Sequence, residues 1–168
     1  MSNTIERAVE VEVPASVAYD TWTQFELFPH FMQDVEEVRQ KDDRHLYWRA
    51  KVWGRTEEWD AEITEQIPDK RIAWRSQGGA SNAGVVTFHR LSDDRARVML
   101  QMAYDPERWS EKVGDALGLF THRVEADLQG FKRFVEKQGD RVEGWRGEVQ
   151  AKDDAAQQKR QERRSAKG

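Results

Sequence analysis

Residues 44–104 read RHLYWRAKVWGRTEEWDAEITEQIPDKRIAWRSQGGASNAGVVTFHRLSDDRARVMLQMAY, and their period of two decides the fold. Leu46, Trp48, Ala50 and Val52 share one face of a strand, with His45, Tyr47, Arg49 and Lys51 on the other. Gly54-Arg55 turns the chain, after which Trp59, Ala61 and Ile63, with Glu57, alternate against Glu58, Asp60, Glu62 and Thr64. Pro68-Asp69 turns it again, and Ile72, Trp74 and Ser76 oppose Ala73 and Arg75. The run GGASNAG reads as a flexible hairpin loop, a candidate lid. Val86 and Phe88 follow on one face, then the turn Ser92-Asp93-Asp94-Arg95, then Val98, Leu100, Met102 and Tyr104.

The period then changes. Val113, Leu117, Phe120, Val124, Leu128, Phe131, Phe134 and Val135 recur in steps of three and four, which predicts one long amphipathic helix from Glu107 to Gln138. Asp105-Pro106 starts it and Gly139 stops it. On the amino-terminal side, Ile5, Arg7, Val9, Val11 and Val13 form a strand that Pro14 ends. Val17, Ala18, Thr21, Trp22 and Phe25 have helical spacing, and a second short helix or apolar turn gathers around Pro29. Val35 to Gln40 opens the meander. The order is strand, two short helices, six strands and a long helix: an α+β protein with a curved antiparallel sheet of about seven strands and its helices on one side.

Composition narrows the function. The chain of 168 residues suits one domain, with a hydrophobic share of 38% against 35% charged. The last 18 or so residues carry no aromatic or branched aliphatic side chain, a composition that cannot offset the entropy of ordering. A ligand-binding domain is therefore expected over residues 1–139 and a charged, disordered tail over 140–168. From Ala151 onward six basic residues face three acidic ones, a surplus of +3 in a chain of net charge −4, so the first 150 residues carry −7. An acidic body argues against nucleic acid as a partner. The basic tail offers at most a weak contact with an anionic membrane.

The absence of cysteine excludes disulfides, thiolate zinc sites, iron–sulfur clusters and thiol nucleophiles. No apolar run approaches a membrane span and MSNTIERAVEVEV is not a signal peptide, so a cytoplasmic protein is expected. His30, His45, His89 and His122 show no metal-ligand spacing and none pairs locally with a nucleophile; all four read as surface or rim residues, with His89 and His122 the two alternatives as general bases. No phosphate-cradling or dinucleotide-binding glycine motif occurs. No metal and no cofactor is expected.

VEVPASVAYDTWTQFELFPHFM, WDAEITEQIPDKRIAWRS, GVVTFHRL and RARVMLQMAYDP, with the closing helix, resemble the helix-grip (START/Bet v 1-like, SRPBCC) superfamily. The likeness runs over about residues 3–138 and is nearest to bacterial stand-alone polyketide cyclase/dehydrases and coenzyme Q-binding-like proteins. It implies a deep apolar cavity between the concave sheet face and the long helix, holding a quinone, lipid or polyketide-like molecule. These motifs specify the fold more than a reaction.

The residues expected to contact a ligand in such a cavity are Phe31, Trp48, Trp59, Trp74, Phe88, Met102, Tyr104, Gly114, Leu117, Gly118, Phe120 and Val124. Trp48, Trp59 and Trp74 share a phase and form a continuous aromatic wall on three adjacent strands, either lining a pocket or filling the core. Gly114 and Gly118 share a helix face, giving either close helix–sheet packing or room for a ligand. No catalytic residue is assigned. If the tryptophans point inward, Arg49, Tyr47 and Arg75 point out; with the faces reversed, Arg49 becomes a buried cation able to polarise a carbonyl. The expected function is a carrier or sensor of an apolar small molecule, acting as monomer or homodimer. The alternative is a polyketide cyclase/aromatase or dehydratase, which needs a buried Arg, Tyr or His cluster on the concave face.

Overall fold

The computed structural model describes residues 3–52, 54–77, 82–104, 116–138 and 147–149. Strand β1 (Asn3–Val11) leads through helix α1 (Ala15–Trp22) and a 3-10 helix (Phe25–His30) to a meander. The meander comprises β2 (Val35–Gln40), β3 (His45–Val52), β4 (Arg55–Ile67), β5 (Arg71–Gln77), β6 (Asn82–Ser92) and β7 (Arg95–Tyr104). Helix α2 (Ala116–Gln138) follows. The expected segment 107–115 of that helix lies outside the described residues.

All neighbouring strands are antiparallel, in the order β1-β7-β6-β5-β4-β3-β2. Successive hairpins account for β2 through β7, and β1 adds to the far edge by pairing Ile5 with Met102 and Val9 with Val98. The two short helices therefore join one edge of the sheet to the other. Pro14 is the N-cap of α1, where a backbone N–H would have no intrahelical acceptor, and its carbonyl accepts the Ala18 N–H at 3.0 Å.

Register shifts interrupt β2, β4 and β6, and such irregularities bend a strand. The shift between Ile63 and Glu65 also resets the alternation. Ile63 and Gln66, an odd number of residues apart, are both buried. Gln66 donates from Nε2 to the Tyr19 hydroxyl at 3.0 Å, joining β4 to α1 within the core. The loop expected over GGASNAG is shorter than its composition suggests, because Asn82, Ala83 and Gly84 already belong to β6. The candidate lid, residues 78–81, lies outside the described residues.

The core sits where α1, the 3-10 helix and the second half of α2 meet the sheet. Trp22 packs edge-on against Phe28, Phe88 and Phe131, with ring centroids 5.5, 6.4 and 5.0 Å away. Val124, Leu128, Phe131 and Val135 form the buried stripe of α2. Gly130 brings this helix against the turn that follows the 3-10 helix, since a Cβ there would collide with the Phe31 carbonyl. Polar clamps hold α2 along β1. Arg7 Nε donates to Glu125 at 2.8 Å, the Glu12 N–H donates to Glu136 at 2.8 Å, and Lys132 Nζ donates to the Glu10 carbonyl at 2.8 Å.

Of the segment 140–168 expected as a tail, only 147–149 is described. There Val149, 2% exposed, exchanges both backbone hydrogen bonds with Gln66 at 2.6 and 2.9 Å. Among the described residues no helix is long and apolar enough to cross a membrane.

Candidate functional site

A cavity of about 330 Å³ lies between the sheet and α2. Strand parity supplies its wall. Leu46, Trp48 and Ala50 enter from β3, Trp59 and Ile63 from β4, Ile72 and Trp74 from β5, and Leu100 and Met102 from β7. Trp22, Phe25 and Phe28 close one side and Val124 of α2 roofs it.

Trp48 and Trp59 are direct cross-strand partners, with parallel ring planes (5° apart) and centroids 6.0 Å apart. Phe28 extends this surface, its ring 5.5 Å from Trp48. Trp74 also lines the cavity but stands opposite Ile63 and Gly84, not Trp59. Trp59 and Ile63 are four residues apart, about 13 Å along the strand. The expected continuous wall is thus a Trp pair with a third ring farther along. Gly84 makes room for that third ring, because a Cβ there would lie 2.6 Å from the Trp74 indole.

Of the predicted contact residues, Trp48, Trp59, Trp74, Met102 and Val124 line the cavity. Phe31 packs instead against Phe28, Phe131 and Phe134 at the margin of the core, and Phe88 against Tyr19 and Trp22 within it. Tyr104 ends β7, and Leu117, Gly118 and Phe120 belong to α2. Their side chains, and Gly114 entirely, lie outside the described residues.

Because Trp48 and Trp74 face inward, their neighbours face out. The Arg49 guanidinium lies 3.2 Å from Glu36 and 2.9 Å from Glu37, and Arg75 lies 3.6 Å from Glu62. The Tyr47 hydroxyl donates to Glu58 at 2.7 Å, and that carboxylate holds the phenol above its usual pKa. The reversed-face alternative, with Arg49 buried, is excluded by this parity.

The sequence reading missed Asp34, Lys51, Asn82, Arg123 and Asp127 in the polar part of the lining and took His122, which also lines it, only as a candidate general base. Three of these, Asp34, Arg123 and Asp127, lie close enough to act on one another electrostatically. Arg123 forms an ion pair with Asp34, whose carbonyl accepts the Lys51 N–H at 2.8 Å, and His122 and Asp127 flank Arg123 on α2. Burial raises the Asp127 carboxyl to about 7; the Arg123 charge opposes that rise and the Asp34 charge adds to it. A sequence signal existed, since Asp127 falls three residues after Val124 and four before Phe131, within the apolar stripe. Among the described residues no three His, Asp or Glu side chains are grouped to hold a metal ion. The arrangement is an apolar slot with aromatic walls and an ionisable end, suited to a flat molecule carrying few polar atoms.

Comparison with known proteins agrees with this geometry. A family profile described as polyketide cyclase/dehydrase and lipid transport matches residues 11–133. A 17.2 kDa protein of Streptomyces lincolnensis, from the melC2-rnhH intergenic region, is 52% identical over 146 residues, covering 86% of this chain and 97% of that protein. A Deinococcus radiodurans structural-genomics structure is 28% identical with a TM-score of 0.62, covering 81% of this chain and 99% of its own. The Zhui aromatase/cyclase of a Streptomyces species shares the fold at a TM-score of 0.70 and 15% identity, over 86% of this chain and 100% of its own. The profile match, over most of the chain, and the sheet gripping a carboxy-terminal helix make this chain a member of the polyketide cyclase/dehydrase and lipid transport family, within the helix-grip superfamily.

Proposed function

We propose that the protein binds one apolar, ring-bearing small molecule in the cavity between sheet and α2, and carries or senses it without transforming it. The observation that carries this reading is the stacked Trp48–Trp59 pair set in an apolar lining, with charged side chains gathered at one end. Each indole offers about 150–250 Å² of contact to a planar ligand, and apolar burial at about 25 cal/mol per Å² supplies the affinity. Arg49, Tyr47 and Arg75, the polar groups that a reversed sheet face would have turned inward, pair instead with Glu37, Glu58 and Glu62 away from the cavity.

One observation favours a second reading. Asp127 reaches the cavity with a carboxyl poised near neutral pH, as a general acid–base group would need, and the matched family includes cyclases and dehydrases.

The test is native mass spectrometry of the purified protein beside a denatured extract of the same sample. A co-purifying aromatic or isoprenoid compound, recovered unchanged after prolonged incubation with fresh protein, supports the carrier. Its conversion to a cyclised or dehydrated product overturns that reading in favour of the enzyme.

A further inference from the structure

The cavity leaves a ligand little choice of where to put a polar atom. Its lining from β4, β5 and β7 is apolar, β3 adds Lys51 to its apolar residues, and the remaining polar side chains are Asn82 of β6 and those near Arg123. Asp127 belongs to the apolar stripe of α2, one turn from both Val124 and Phe131, so its carboxyl is carried inward. An acid on that stripe is costly unless something compensates it. The nearest cation on its own helix, Arg123, is already paired with Asp34. From the other elements, Asp34 precedes β2 with a like charge and Lys51 of β3 lines the cavity from an exposed position; His122 adds a titratable group on α2. Asp34 and Arg123 pair with one another, so beside the Lys51 ammonium it is the state of Asp127 that sets what a ligand's polar end meets.

We infer that Asp127 selects the ligand's polar end, donating to a neutral oxygen such as a ring carbonyl or accepting from a phenol, and rejecting an anionic head group once it is ionised. This rests on the ligand-binding reading above and deepens it by naming the ligand class: neutral, oxygen-bearing aromatics. It applies equally to a carrier and to an enzyme. The carboxyl's position near 7 puts the change from donor to anion within the physiological range.

Two naphthalene probes of matched size test it by titration calorimetry, 2-naphthol as the neutral ligand and 2-naphthoate as the anion. Between about pH 5.5 and about pH 8.5 the affinity for 2-naphthoate should fall roughly tenfold as Asp127 ionises, while that for 2-naphthol stays level. In Asp127→Asn the 2-naphthoate affinity should no longer depend on pH. In His122→Gln the dependence should persist, which separates loss of a cation at His122 from gain of an anion at Asp127. Equal binding of 2-naphthoate by the wild-type protein at both pH values overturns the inference without recourse to any variant. A fall that survives in Asp127→Asn overturns it too. If neither probe binds at either pH, the cavity reading fails and takes this inference with it; if 2-naphthol binds and only the pH dependence is missing, the cavity reading stands alone.

Discussion

Gly84 of β6 lies directly opposite Trp74 of β5, and the indole crosses the space that any other residue's Cβ would occupy, 2.6 Å from its nearest ring carbon. The glycine is thus a steric condition for the third tryptophan of the cavity. Gly84→Ala should cost about 1–3 kcal/mol in urea unfolding, the usual penalty of overpacking. It should also weaken 2-naphthol binding by displacing Trp74. A variant as stable as the wild type, with unchanged binding, would show that Trp74 can swing aside freely.

Phe131 and Trp59 should separate stability from binding. Phe131 is fully buried against Trp22 and Phe31, so Phe131→Ala should cost about 3–5 kcal/mol. Trp59 is half-buried and faces the cavity, so Trp59→Ala should cost only about 1–2 kcal/mol while abolishing most probe binding. Thermal melts and probe titrations on both variants check the pair; equal losses of stability would mean that Trp59 is core.

Stability should fall with rising pH because of Asp127. Its carboxyl titrates at about 7 in the folded protein against an ordinary value of 3.8. Between those values the unfolded chain has released a proton that the folded protein still holds. The penalty is therefore absent below about pH 4, grows as pH rises to about 7, and is constant above that. Asp127→Asn removes it and should gain about 1–3 kcal/mol over wild type at pH 8, allowing for solvent screening of a half-buried group. The gain should shrink toward zero near pH 4. Denaturant unfolding of both proteins across that range measures the difference, and a gain that did not vary with pH would assign it to packing.

The Gln66–Val149 bridge predicts that the folded unit extends past residue 139. A chain terminated after residue 150 should match the full chain in stability. One terminated after residue 138 loses the Val149 side chain and leaves the Gln66 backbone groups unpaired, at a cost of about 2–4 kcal/mol. Equal stability of the two would show that the 147–149 segment contributes nothing and that the boundary belongs near 139.

The architecture was legible in the sequence because period is a local property. Alternation across Leu46, Trp48 and Ala50, and steps of three and four from Val124 to Val135, assign each residue a face without reference to its neighbours in space. The same parity correctly sent Arg49 and Arg75 outward once Trp48 and Trp74 faced in. Alternation failed at the irregularity between Ile63 and Glu65. Whether a strand inserts a residue depends on its partner, and that insertion is what buries Gln66 beside Tyr19.

By itself the sequence determined the number, order and facing of the strands and helices, and hence a concave aromatic sheet covered by a long helix. Only the tertiary structure decided how much of that interior is hollow and what chemistry reaches it. Phe88 differs from Trp48 and Trp59 in no local respect, each being an aromatic residue in an alternating strand, yet it fills the core and they line a cavity. The seating of α2 decides part of it: Gly130 lets the helix press against the Phe31 backbone, while Val124 and Asp127, one to two turns earlier, face the cavity. Helix tilt is a sum of contacts between residues about a hundred positions apart, and no periodicity records it.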